Sequence, residues 1–139
     1  MEAATKGSHR KGPFLLSVVA PVFNEAEGVE ELITRLEASC RDASDRFELI
    51  LVNDGSRDAT LQCLIRLSQS MPELRVVDLF RNFGHMPALS AGLALTEGDA
   101  VVVMDGDLQD PPELIPELVG KWKEGVDVVY GLRTRRNDG

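Results

Sequence analysis

An α/β fold is predicted, with a mostly parallel sheet and helices on both faces. Three observations predict it. Short runs rich in Val, Leu and Ile recur along the chain, as in strands covered on both sides. Segments with apolar residues at helical spacing separate them. The two kinds of segment alternate regularly from end to end, which is the pattern of βαβ units.

The elements follow in order. Residues 1–13, beginning "MEAATKGSHRKG", are polar and read as a flexible lead-in without the apolar core of a secretory signal. One domain is expected over 14–139. The first strand is Phe14–Ala20. Val29, Leu32, Ile33, Leu36 and Cys40 form a helical stripe after it. The second strand is Phe47–Val52, followed by a stripe of Leu61, Leu64 and Ile65. The third strand is Leu74–Phe80, followed by a less regular set of Leu89, Leu93 and Leu95. The fourth strand is Ala100–Met104, and Leu114, Ile115, Leu118, Val119 and Trp122 make the stripe after it. Val126–Tyr130 reads as a fifth strand. Trp122 fits its stripe and is expected in the core.

Composition narrows the function. The 139 residues are 43% hydrophobic, enough for a globular core. The formal net charge of -8 argues against a nucleic-acid partner, because nothing offsets phosphate repulsion. The apolar runs are far shorter than a membrane span. Cys40 and Cys63 lack CxxC spacing and are expected as free thiols in a reducing, cytoplasmic compartment.

Ligands of open α/β sheets bind beyond the carboxyl ends of the strands. The residues just after the strands are "PVFNE" (Pro21–Glu25), "NDGS" (Asn53–Ser56), "RNFGH" (Arg81–His85), "DGDLQD" (Asp105–Asp110) and "GLRTRR" (Gly131–Arg136). Acidic groups, amides and arginines are thereby expected to converge on one rim.

The aspartates carry the sharpest signal. If strand geometry persists to Asp107, Asp105 and Asp107 present both carboxylates to one side. At about 6 Å and an effective dielectric near 20 they repel by about 3 kcal/mol. Either one takes up a proton or a cation sits between them. Hard oxygen donors suit Mg2+ or Mn2+, which commonly bind one or two carboxylates together with substrate phosphates. Asp110 reads differently: in "DPPE" it is a helix N-cap, with Pro111 at the first helical position and Glu113 as capping-box partner. An EF-hand loop is excluded, because its sixth position needs Gly and Asp110 stands there.

Other rim residues have plain structural readings. Asn24 and Glu27 match a helix cap and its partner. Gly55 and Ser56 suit a tight turn. Asp58 suits the cap of the second helix. His85 reads first as a satisfied polar group, and Arg133, Arg135 and Arg136 as a solvated charged tail.

Taken together, "VVAPVFNE", "LILVNDGSRDAT", "LFRNFGHMPALSAGL", "VVVMDGDLQDPPELI" and "DVVYGLRTRR" resemble family 2 glycosyltransferases. Within them they are similar to the polyprenyl-phosphate branch that includes dolichyl-phosphate mannose synthase. The resemblance covers nearly all of the chain after Phe14. It implies a Rossmann-like nucleotide-sugar-binding core of the GT-A type. Pro21, Asn24 and Glu25 would then line the nucleotide pocket, Asp54 would contact the base, and Arg81 would border the sugar-nucleotide site. Asp105 and Asp107 would hold the divalent ion, with Gln109 as a further metal-site residue. Arg133 would bind phosphate of donor or acceptor.

The resemblance also implies the reaction: inverting transfer of a sugar from a nucleotide-diphosphate donor to a polyprenyl phosphate. A UDP-sugar is the favoured donor, with a GDP-sugar as the alternative. Members of this branch continue well past the fifth strand, so the chain is expected to be the first part of a longer protein at the cytoplasmic face of a membrane. Its membrane contacts would lie in segments absent here. An uncovered sheet edge would favour homo-oligomers. Two alternatives stay open: a nucleotide-sugar-binding module inactive on its own, and a dehalogenase-type Mg2+-dependent phosphatase.

Overall fold

The computed structural model describes residues 2–3, 10–126 and 129–130. Strand β1 (Leu15–Val22) is followed by α1 (Val29–Ala43), β2 (Arg46–Asp54), α2 (Thr60–Ser68), β3 (Leu74–Leu79), α3 (His85–Leu93) and β4 (Ala100–Val103). A 3-10 turn (Pro112–Leu114) then runs into α4 (Ile115–Lys123). The four strands form one parallel sheet in the order β3-β2-β1-β4. The expected fold class is therefore the observed one.

Direction reverses between β1 and β4. The chain steps outward from β1 through β2 to β3, then crosses back to place β4 on the other side of β1. Such a switch point leaves a crevice at the carboxyl ends of the two strands that flank it. The first and fourth strand ends, carrying "PVFNE" and "DGDLQD", are the two that flank it.

The sheet has two unequal faces. Leu16, Val18, Ala20 and Val22 of β1 and Leu49 and Leu51 of β2 point to the larger core. There they meet the stripe Val29, Leu32, Ile33, Leu36 and Cys40, with Leu64, Ile115 and Val119 from the other helices. Val19, Ile50 and Val52 point the other way, against Ala88 and Leu89 of α3. Alternate residues of one strand feed opposite cores, as a two-fold side-chain period requires. Each fully buried Leu or Ile contributes about 1.5–3 kcal/mol.

Helix α3 differs from its sequence reading. Leu93 and Leu95 are exposed, and the residues facing the sheet are Ala88 and Gly92. A Cβ on Gly92 would lie 2.6 Å from Val19 Cγ1 and 2.8 Å from Val52 Cγ2. The helix lies so close to the strands that only small side chains fit beneath it. Ile65 of the second stripe is likewise exposed at 46%. Trp122 is half-buried, its ring centroid 4.9 Å from that of Phe14. Arg10 stacks 4.8 Å from the Trp122 centroid and donates to the carbonyls of Trp122 and Val126.

The start of the last helix also departs from the expected capping box. The 3-10 turn begins at Pro112, so the cap position falls on Pro111, which is extended at φ -68 and ψ 128. A residue before proline is pushed away from helical geometry, and this moves the start one residue past the Asp110 reading. Glu113 turns outward to Arg35 of α1, accepting from Nε at 2.8 Å and from the second guanidinium nitrogen at 2.6 Å. That pairing holds the Glu113 carboxyl down at about 2. Val129–Tyr130, within the fifth expected strand, pairs antiparallel with Glu2–Ala3 rather than with β4. Cys40 and Cys63 are free thiols, as read, and burial pushes Cys40 up to about 12.

Candidate active site

The rim is built from loops that brace one another. Asn24 stands at φ 54, a left-handed conformation that asparagine tolerates. Its N–H donates to Ser56 Oγ at 2.9 Å, and its side-chain oxygen accepts from Arg57 N–H at 2.8 Å. Glu25 N–H donates to Thr60 Oγ1 at 2.8 Å, and Ala26 N–H to Asp58 Oδ2 at 3.2 Å. The loops after β1 and β2 are thus laced together. Asn24 works across this gap and does not cap α1, whose cap position is Gly28. Asp58 does serve the start of α2, accepting from Thr60 N–H at 2.9 Å. Hydrogen bonds, first from the Thr60 hydroxyl, hold the Asp58 carboxyl below its ordinary value.

Asp54 ends β2 and is 4% exposed. Its carboxylate accepts from Phe83 N–H at 2.8 Å, Gly84 N–H at 3.1 Å and Asn82 Nδ2 at 3.2 Å. It therefore fixes the turn after β3. Gly55 lets that turn come close: at φ 69, an added Cβ would lie 2.3 Å from the Arg81 carbonyl carbon and the Asn82 nitrogen. Beside it, Asn53 Nδ2 donates to Asp78 Oδ1 at 2.9 Å.

Pro21 belongs to β1, one residue beyond the strand end read from sequence, and is buried. The carbonyls of Leu15 and Val19 face β4, accepting from Asp99 and Met104 N–H. By alternation the Pro21 nitrogen faces the same side, where β4 has already ended. A residue without an N–H costs no ladder bond there. Gly106 fills the space instead: a Cβ on it would lie 2.5 Å from the Pro21 carbonyl oxygen and 2.3 Å from Val22 Cγ1.

This contact shapes the aspartate pair. β4 ends at Val103, and residues 106–107 form a turn, so strand alternation does not persist to Asp107. Leu108 follows at φ 64. Asp105 comes within 3.7 Å of His85 Nε2 at the start of α3. Asp107 Oδ1 accepts from Gln109 N–H at 3.1 Å. Burial raises the Glu25 carboxyl above its ordinary value, and the charges of Asp107 and then Asp58 push it the same way. Glu25 and Asp107 thus share one electrostatic neighbourhood at the switch point. Its negative charge and oxygen donors fit a hard divalent cation.

Among the described residues no three His, Cys, Asp or Glu side chains converge into a ready cage. One or two carboxylates are what an ion shared with a diphosphate asks of the protein. Sequence reasoning read His85 first as a satisfied polar group, and the structure sets it beside Asp105. Its place after a strand end, on the rim where ligands bind, was the available signal. Arg81 lies on the turn after β3, stacked on Phe83. Arg133 lies outside the described residues.

Known proteins bear on this geometry. The family described as "Glycosyl transferase family 2" matches residues 17–139. An uncharacterized glycosyltransferase of Synechocystis is 50% identical over 121 residues, covering 87% of this chain and 38% of that one. The undecaprenyl-phosphate 4-deoxy-4-formamido-L-arabinose transferase of Pseudomonas savastanoi is 43% identical over 124 residues, covering 88% and 37%. The chain thus spans less than two fifths of these relatives. Among solved structures, glucosyl-3-phosphoglycerate synthase of Mycobacterium tuberculosis, in complex with Mn2+, UDP and glucosyl-3-phosphoglycerate, matches with a TM-score of 0.65 at 28% identity. That match covers 87% of this chain and 48% of the synthase.

Proposed function

The chain belongs to glycosyl transferase family 2, and from that premise we propose that it is the donor-binding part of a polyprenyl-phosphate glycosyltransferase. The donor is a nucleotide-diphosphate sugar, with UDP favoured over GDP. The acceptor is a polyprenyl phosphate, a reading supported by the name of the Pseudomonas relative. One observation carries the proposal: the turn bearing Asp105 and Asp107 sits at the switch point between β1 and β4, in the electrostatic field of Glu25. The dehalogenase-type alternative is dropped with family membership.

Asp105 and Asp107, with Gln109, would hold Mg2+ or Mn2+. An ion held there would supply positive charge to offset the negative charge growing on the departing diphosphate. Glu25, Asn24 and Pro21 line the same crevice from the β1 side and orient the nucleotide. Asp54 acts on the site through the turn it holds, which carries Arg81, and its contact with the base is part of the same proposal. Arg133 is assigned to phosphate. The acceptor oxygen is anionic at neutral pH, so no strong general base is required. Attack opposite the leaving group inverts the anomeric carbon. Positioning and charge stabilisation dominate such a reaction.

Titration calorimetry tests the metal role. UDP-sugar is expected to bind the wild type far more tightly with Mn2+ than with chelator, and Asp107→Asn is expected to lose that difference. Equal affinity with and without Mn2+ in the wild type would refute it.

A further inference from the structure

The two sides of the crevice are joined behind it. The side bearing Glu25 runs straight into α1: the Glu25 carbonyl accepts from Gly28 and Val29 N–H at 3.0 and 2.9 Å. The side bearing Asp107 runs through Pro111 into the 3-10 turn Pro112–Leu114. Arg35, in the second turn of α1, reaches that turn. It donates to the Glu113 carboxylate through Nε at 2.8 Å and through a terminal nitrogen at 2.6 Å. Its other terminal nitrogen donates to Glu31, one turn earlier on α1, at 3.2 Å. Glu25, α1, Arg35, Glu113 and Asp107 therefore form a closed ring of chain and side chain that includes both sides of the crevice.

We propose that Arg35 and Glu113 are positioning residues, whose two-pronged bond keeps the aspartate turn in register with Glu25 and so pre-forms the ion site. The inference rests on the proposed function and deepens it. Two observations select this pair. Apolar contacts bury Pro112 and Ile115, but burial is non-directional and does not stop the turn from sliding. A guanidinium fork on a carboxylate fixes direction as well as distance. Across the crevice, Asp107 and Glu25 carry like charge, and their repulsion pushes the two sides apart whenever no cation lies between them. A clamp outside the crevice resists that repulsion without taking the ion's place. Lone exposed ion pairs hold little, but a bidentate bond within a network of three charges is the exception.

A double-mutant cycle on the 139-residue chain tests it. Arg35→Ala and Glu113→Ala are each expected to weaken Mn2+-dependent UDP binding by about fivefold in calorimetry, the scale of one well-formed exposed pair. The double variant should bind no more weakly than either single one. Arg66→Ala breaks another exposed bond of α1, to Glu30 at 3.2 Å. It should leave UDP affinity within about twofold, as for an independent position. Tm should fall no further in the Arg35 and Glu113 variants than in Arg66→Ala, which separates positioning from a general loss of stability. Amide exchange of Gln109, whose N–H donates to Asp107, reads the turn by NMR without ligand. It should quicken by about fivefold in Arg35→Ala and Glu113→Ala, and not in Arg66→Ala. Unchanged Gln109 exchange in the first two variants overturns the inference, as do additive losses in the cycle or an equal loss in Arg66→Ala. A wild type that binds no UDP with Mn2+ would overturn the donor reading, and Gln109 exchange would then decide by itself whether the pair holds the turn.

Discussion

Two buried carboxylates sit at opposite ends of the sheet and do different work. Asp54, at the carboxyl end, spends its charge on the turn that shapes the rim. Glu48, 9% exposed near the amino end, accepts from Ser17 Oγ at 2.6 Å, Glu97 N–H at 2.8 Å and Arg75 at 3.2 Å. Burial pulls the Glu48 carboxyl upward, but the bonds from Ser17, Glu97 and Arg75 outweigh it, leaving the group below its ordinary value. A depressed carboxyl stabilises the fold above its unfolded value and loses that contribution as pH falls through the folded one. Glu48→Gln should therefore cost about 1–3 kcal/mol at pH 7, the scale of a disrupted buried charged network. The deficit should shrink on acidification below pH of about 4, where carboxyls protonate. Urea unfolding at several pH values measures it, and a deficit constant down to pH of about 3 contradicts the assignment. Neither role was visible in the sequence, where "FELI" and "NDGS" show only an acid within or after a strand.

At the scale of elements, the first helix was the most legible and α3 the least. Every residue of the stripe Val29, Leu32, Ile33, Leu36 and Cys40 is buried, because α1 meets the sheet through large side chains on one face. For α3 the rule inverts. Ala88 and Gly92 touch the strands while Leu93 stays in solvent, since closeness to Val19 and Val52 leaves no room for larger groups. Hydrophobic size is then a misleading guide to which face is covered. Gly92→Val should destabilise by about 1–3 kcal/mol through overpacking, despite the gain in backbone entropy. It should also weaken UDP-sugar binding, because α3 carries His85 and continues from the Asp54-held turn. A variant as stable as the wild type in urea would show that the helix can shift away cheaply.

The whole molecule is organised by the order in which its strands pair. Only the return of β4 to the side of β1 brings "PVFNE" beside "DGDLQD". Among the described residues no helix is long and apolar enough to cross a membrane. A ligand bound only by the native state stabilises the whole fold, by about 2.7 kcal/mol at a hundredfold excess over Kd. UDP-sugar with Mn2+ should accordingly raise Tm by several degrees in the wild type. Chelator should remove most of the rise, and Asp105→Asn should not show it. A rise of equal size in chelator would place the donor elsewhere.

Strand and helix alternation, the polar rim and the names of its residues were all determined by the sequence. Local periodicity and side-chain chemistry carry that information, and both are properties of neighbouring residues. Tertiary structure alone decided which rim residues meet. It turned the aspartate pair at Gly106 rather than extending it, committed Asn24 and Asp54 to bracing loops, and set His85 against Asp105. Each of these outcomes depends on contact between segments far apart in the chain, and no local pattern encodes the distance at which two such segments come to rest.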